Sequence, residues 1–304
     1  MIDFMKYKGI YFLISALFLV PGIISLFVWG LKPAIDFTGG TLLEVGLQRS
    51  DHPAAELGAG CQMTNIEEAL GEKSSELVVV QKTSSQTCLL RLSPMDEAEK
   101  NEILKRLSEK LGSVQEVRFE TVGPTLGAEL LVKTLVGVAL AAGFILVYVA
   151  RQFKDKMYGI CAVLAMFHDT FILLGSFALL GKWWGVEVDT LFVTAVLTTL
   201  SASVHDTVVT YDSIRNAVRH NPKVEFAELV NQAINQTLIR NLNNSLTIIF
   251  MLLALVLLGG PTIRWFVAAL LIGTVAGTYS STFIATSLLL VWKELAAKKF
   301  LRSC

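Results

Sequence analysis

Charge is scarce in this 304-residue sequence: 17% of it is Asp, Glu, Lys or Arg, and 26 bases against 26 acids leave a formal net charge of zero. Soluble chains average about 25% charged residues. The balance excludes a basic nucleic-acid binder and an acidic disordered tail. Histidine and cysteine are equally sparse, at four each, and Cys61, Cys88, Cys161 and Cys304 show no CxxC or His/Cys ligand spacing. Neither a metal centre nor a disulfide scaffold is indicated, and no cofactor is expected. What the chain has instead is apolar surface, with 53% hydrophobic residues and a mean hydropathy of +0.57.

The first apolar run, Gly9 to Gly30, holds no charge over about 22 residues, enough to cross a hydrocarbon core of about 30 Å. It is too long for the apolar region of a signal peptide and no small-x-small cleavage site follows, so it reads as a retained first span. Further spans are expected near 129–150, 157–180, 190–212, 242–260 and 264–292, six in all. Pro21 and several glycines fall inside spans, where they are better tolerated than in soluble helices. Thirteen Lys and Arg residues, from Lys6 to Arg302, fall on one side of this layout and only Lys182 and Arg264 in the short loops opposite. The positive-inside rule then puts both termini in the cytoplasm and residues 31–127 outside. The expected divisions are 1–30, 31–127, 128–292 and a basic cytoplasmic tail, 293–304.

The outer region is long enough for one small core. Strands are expected at Thr41–Leu47, Glu76–Lys82, Thr87–Leu92 and Val114–Thr121. A short helix at Thr64–Leu70 opens on a Thr64…Glu67 capping box. An amphipathic helix, Met95–Leu111, turns Ile103, Leu104, Leu107 and Leu111 to one face. The order β-α-β-β-α-β predicts a ferredoxin-like α+β domain between the first two spans. Residues 31–133 carry 16 acids and 11 bases, which reads as a solvated acidic surface or one that meets a basic or unfolded partner. Cys61 and Cys88 face an oxidising space and are able to pair, although spacing alone does not require it.

The informative residues are those lipid excludes. The third span carries His168-Asp169-Thr170 and the fourth His205-Asp206-Thr207, the clearest internal echo in the chain. An ionisable group at the bilayer centre costs about 2.5–3.5 kcal/mol on insertion scales. Thr199, Ser203, Asp206, Thr210 and Ser213 recur at steps of 4, 3, 4 and 3, one polar stripe directed at other helices or a water-filled path. Arg240, followed by Asn241, Asn243, Asn244, Ser245 and Thr247, is a candidate counter-charge for Asp206. An acid whose surroundings alternate between arginine and water is suited to proton uptake and release.

Plainer readings stand beside this one. Both aspartates fit neutral, hydrogen-bonded packing. Each histidine should point about 100° away from its neighbouring aspartate, so neither dipeptide is a hydrogen-bonded pair by itself. Gly273-x-x-x-Gly277 fits close helix packing. The HD dipeptides lack the further ligands of a metal phosphohydrolase. Tyr211-Asp212 lacks the Gly-x-Gly-Asp partner of an intramembrane aspartyl protease, so no enzymatic activity is expected.

Six ordered blocks resemble one family. They are Asp36-Phe37-Thr38-Gly39-Gly40-Thr41, Val122-Gly123-Pro124-Thr125-Leu126-Gly127, the run from His205 to Arg215, the run from Asn235 to Arg240, Gly259-Gly260, and Gly277-Thr278-Tyr279-Ser280-Ser281. Together they are similar to the SecF branch of the SecD/SecF protein-export family, within the resistance-nodulation-division superfamily. The resemblance implies a SecD partner, association with the SecYEG channel and SecA, and use of the protonmotive force to complete export of unfolded polypeptide. The setting it implies is the bacterial inner membrane, with lipid and no nucleic acid as the surroundings. By motif match it puts the proton-coupling acid on Asp206 and its arginine on Arg240; His205, Asp169 and His168 are further candidates only as ionisable residues inside the spans. The family's Asn before that acid is His205 here, its Arg after the second Asp is Ser213, and its Thr after the arginine is Asn241. The alternative within the superfamily is proton-coupled transport of a lipid or drug, and a scaffold without proton chemistry is a third reading.

Overall fold

The computed structural model describes residues 3–48, 61–71, 77–82, 87–153 and 155–302. They form two compact units, Pro33–Leu135 and the pair of segments Met1–Lys32 and Val136–Cys304.

In the smaller unit, a one-turn helix α2 (Ile35–Thr38) leads into strand β1 (Gly40–Gln48), helix α3 (Met63–Leu70), strands β2 (Leu77–Lys82) and β3 (Thr87–Leu92), helix α4 (Glu97–Leu111) and strand β4 (Ser113–Val122). The strands pair antiparallel in the order β2-β3-β1-β4, with Leu43 opposite both Leu90 and Phe119. Alternation along the strands sends Leu43, Val45, Leu90 and Leu92 to one face, where they bury against Ile66 and Leu70 of α3 and Ile103 and Leu107 of α4. The sheet therefore has one covered face. Cys61 and Cys88 form a disulfide across a sequence separation of 27 residues.

Two helix starts differ from expectation. Gln62, not Thr64, occupies the N-cap of α3, and no side chain caps it, so the Thr64…Glu67 box does not form. The helix begins one residue early, which carries Thr64 inside its first turn. The box forms on α4 instead, where Asp96 Oδ1 accepts from the Glu99 amide at 2.9 Å and Glu99 accepts from the Asp96 amide at 3.2 Å. The two glycines after α2 have a structural reason. Gly39 and Gly40 sit at φ +72° and +127°, and an added Cβ at Gly39 would lie 2.7 Å from the Pro124 Cα. One at Gly127 would lie 2.8 Å from the Gly39 nitrogen. The first two signature blocks thus meet backbone to backbone.

Among the described residues, six helices are each long and apolar enough to cross a membrane. They are α1 (Lys8–Val28), α5 (Pro124–Gln152), α6 (Lys156–Trp184), α7 (Thr190–His220), α8 (Phe226–Leu258), and α9 (Pro261–Tyr279) continued through a π turn, Ser280–Ile284, into α10 (Ala285–Arg302). The expected count holds, but the fifth span starts at Phe226 rather than near 242. Its first four turns carry Glu228, Asn231, Gln232 and Asn235, too polar to read as membrane. The helix forms because Leu229, Val230, Ala233 and Ile234 bury against the bundle.

Burial on α1 is inverted relative to a soluble helix. Ser15, Gly22 and Ser25 are its buried residues, while Leu13, Leu17, Phe18 and Phe27 are exposed. Small and polar side chains let helix backbones approach where lipid already solvates the apolar ones. The Ser25 hydroxyl donates to the carbonyls of Gly22 at 2.8 Å and Gly175 of α6 at 3.1 Å. No Cβ fits at Gly175 without meeting the Gly22 backbone. One end of the bundle closes on an aromatic cluster of Phe153, Tyr158 and Tyr211, whose hydroxyl donates to the Ala285 carbonyl at 2.8 Å.

Candidate functional site

The polar stripe of α7 meets the glycines of α9. Thr199, Ser203 and Thr210 are buried. An added Cβ at Gly273 would fall 2.5–2.9 Å from the Thr199 side chain, and one at Gly277 would fall 3.2 Å from the Ser203 Cβ. The repeats at i and i+4 on the two helices are therefore interlocked, hydroxyl side chain over glycine, with no space for a larger residue at Gly273.

Asp206, on the same stripe, stands at the edge of this contact and lines a cavity of about 800 Å³ with Asn244 and Ser245 of α8 and Thr278 of α9. Its side chain is 26% exposed, and that of His205 is 75% exposed. His205 Nδ1 lies 3.8 Å from the Asp206 carboxylate, beyond hydrogen-bond distance, as the divergence of successive helical side chains predicts. A carboxylate in this setting reaches solvent-accessible space while its helix is held by close packing on one side.

Arg240 lines a second cavity, of about 670 Å³, with Asp212, Ser213, Gln236 and His220. The acid there is already engaged, since Asp212 accepts from Arg215 at 2.5 Å. Asp206 and Arg240 thus face different cavities, and the counter-charge expected of Arg240 is not in contact with Asp206 in this arrangement. Their neighbours do touch: the Asn241 amide donates to the Thr210 hydroxyl at 3.4 Å, one turn along α7 from Asp206.

The other His-Asp pair departs from expectation. His168 Nδ1 and Asp169 Oδ1 are 2.9 Å apart and hydrogen-bonded, although adjacent on one helix. The reason lies in the neighbouring elements, which hold both side chains from outside. Ser15 of α1 bonds His168 Nε2 at 2.5 Å, and Ser280 of the π turn donates to Asp169 Oδ2 at 2.5 Å. Ser203 of α7 donates to the same oxygen. His168 is 7% and Asp169 6% exposed. Sequence reasoning missed Ser15 and Ser280. Ser15 carried a signal as a polar residue inside a charge-free span, and Ser280 as a member of a signature block with no role attached.

The family model for the C-terminal part of the protein export membrane proteins SecD/SecF matches residues 102–295, and the SecD/SecF GG-motif model matches residues 24–51. The protein translocase subunit SecF of Thermobaculum terrenum is 40% identical, covering 99% of this chain and 96% of its own length. That of Anaerolinea thermophila is 34% identical, covering 97% and 95%. The crystal structure of SecDF from Thermus superposes with a TM-score of 0.81 at 31% identity over 96% of this chain, which spans 39% of that longer one. Matches of this extent, together with six apolar helices and a small antiparallel sheet, settle membership: the chain belongs to the SecF family of protein translocase subunits and is a multi-pass membrane protein.

Proposed function

We propose that this subunit uses the protonmotive force, together with SecD, to complete export of unfolded polypeptide through the SecYEG channel after SecA has acted. The observation that carries the reading is Asp206, an acid within a membrane helix that opens onto a cavity where Ser201, Asn244, Ser245 and Thr278 stand among apolar side chains such as Ile248, Met251 and Leu252. Asp206 takes up and releases the proton, Arg240 stabilises its charged state in another arrangement of the bundle, and His205 stands beside it on the cavity side. Asp169 and His168 form a buried counterpart. The partner reading is supported by relatives in which SecD and SecF are one chain, such as the SecDF subunit of Bacillus subtilis, of which this chain covers 39% at 32% identity. Names of translocase subunits among the relatives favour export over transport of a lipid or drug, and a non-enzymatic role.

The Lys and Arg bias supports a topology with both termini in the cytoplasm of a bacterial cell and residues 31–127 outside it. The Cys61–Cys88 disulfide supports that side, because such bonds persist in oxidising compartments. The strand order β2-β3-β1-β4 with two helices on one face supports the ferredoxin-like reading of the outer domain. A potential of 100 mV is worth about 2.3 kcal/mol per proton, enough to bias a two-state movement of that domain.

The test is export into inverted vesicles reconstituted with the channel, SecA, SecD and either wild type or Asp206→Asn, with and without a proton gradient. The gradient-dependent increment is expected to vanish in the variant while gradient-independent export continues. Full retention of the increment would end the carrier assignment.

A further inference from the structure

The proton-carrier reading uses Asp206 and leaves the better-buried acid idle. Asp169 is held by three donors from three elements: His168 Nδ1 on one carboxylate oxygen, and the Ser203 and Ser280 hydroxyls on the other. With Nδ1–H donating, Nε2 is the acceptor for Ser15 of α1. The His168 Nδ1, Ser203 and Ser280 hydrogens then point toward the carboxylate, and the Ser15 hydrogen toward the imidazole.

Two of the donors have a second attachment. Ser203 lies three residues before Asp206 on α7 and lines the Asp206 cavity, so its hydroxyl forms the wall between cavity and buried acid. Ser280 has an alternative acceptor, the Gly277 carbonyl at 3.3 Å, and Gly277 is the residue packed against Ser203. Ser280 is also the first residue of the π turn, where the α9 ladder is interrupted. Such interruptions recur at functional sites because they loosen one turn without ending the helix.

We infer that Asp169 is a second proton-binding group, loaded through Ser203, whose charge decides whether Ser280 bonds Asp169 or the Gly277 carbonyl. The inference rests on the proton-carrier reading of Asp206 and extends it. A proton donor in the cavity, hydronium or the acid form of Asp206, gives its proton to Ser203 Oγ. Ser203 passes its own proton to Asp169 Oδ2 and is unchanged, and the carboxylate becomes a neutral acid. Oδ2 is then a donor to Ser203 and no longer holds two serine donors. Ser280 turns to Gly277, and the π turn loses its tie to α6. Titratable groups on the packed elements include His168 on α6, His205 and Asp206 on α7, Tyr11 on α1 and Tyr279 on α9, with Tyr158, Cys161, Tyr211, Asp212 and Arg215 farther along α6 and α7. The Tyr279 hydroxyl is committed to the Tyr11 carbonyl at 2.8 Å.

The test is infrared difference spectroscopy of the full chain in lipid vesicles as pH is lowered. A protonated-carboxyl C=O band is expected that survives Asp206→Asn and disappears in Asp169→Asn. Should Asp169→Asn not fold, Ser280→Ala identifies the group. It removes a donor present only in the ionised state, so the carboxylate band should move while the C=O band stays. Absence of any such band in Asp206→Asn overturns the inference, and movement of both bands in Ser280→Ala overturns the exchange of partners. Loss of gradient-driven export in Asp206→Asn without an Asp169 band would leave the carrier reading standing and remove only this one.

Discussion

The sequence His-Asp-Thr occurs twice, and the two copies occupy opposite environments. At 168–170 the pair is sealed: the imidazole bonds the carboxylate, and serines from α1, α7 and the π turn close the ring. At 205–207 the imidazole is mostly exposed, the two side chains do not bond, and the carboxylate opens on a cavity. A dipeptide therefore does not set its own chemistry. The count of donors arriving from other helices sets the surroundings of each acid.

The largest test of that contrast is truncation of each acid. Asp169→Ala takes the acceptor from two buried donors, His168 Nδ1 and Ser203 Oγ, while Ser280 keeps the Gly277 carbonyl; an unsatisfied donor costs about 1–3 kcal/mol, and intramembrane bonds average nearer 0.6 kcal/mol. A loss of about 2–3 kcal/mol is expected in an SDS unfolding titration. Asp206→Ala should lose less than about 0.5 kcal/mol, because its carboxylate faces open space. Equal losses would show that the two acids are held alike.

A smaller effect separates the two glycines that flank the sites. Gly273→Ala drives a methyl into the Thr199 side chain, whereas Gly277→Ala meets Ser203 at 3.2 Å, a gap that a slight shift relieves. Overpacking typically costs about 1–3 kcal/mol, so the first is expected to lose about 2 kcal/mol and the second about 1 kcal/mol or less in the same titration. Because Gly277 borders Ser203 and Ser280, its substitution should also perturb the Asp169 carboxylate band, which Gly273→Ala should not.

Much of this was legible in the sequence, and for physical reasons. Membrane helices announce themselves by runs that no other environment tolerates, so their number and most of their cores could be read directly. The strands followed from β-branched alternation, and Thr87–Leu92 appears at the expected bounds. The start of α8 was not legible, because Glu228, Asn231 and Gln232 carry a soluble signature and their helix is fixed by the burial of Leu229 and Val230. Asp206 was legible because its stripe is local, four helical steps on one element. The Asp169 hub was not: three of its five members come from α1, α7 and the π turn, and no spacing within α6 encodes them. The capping error has the same form, since Thr64 and Glu67 satisfy the pattern but the chain enters the helix one residue earlier.

The finest test exchanges only the histidines. The His205 ring is exposed and unbonded to Asp206. If the cavity side is as open as its geometry indicates, His205→Asn removes neither a buried contact nor a hydrogen bond. Stability should change by less than about 0.5 kcal/mol, the usual range for exposed substitutions. His168→Asn is the matched control. An amide is shorter than an imidazole and cannot span from Ser15 to Asp169, so at least one of the two bonds is lost, for an expected cost of about 1 kcal/mol. Gradient-driven export should survive His205→Asn and fall in His168→Asn if the buried pair participates. An unchanged rate in both would confine the proton chemistry to Asp206, and a loss only at His205 would reverse the assignment of open and sealed sites.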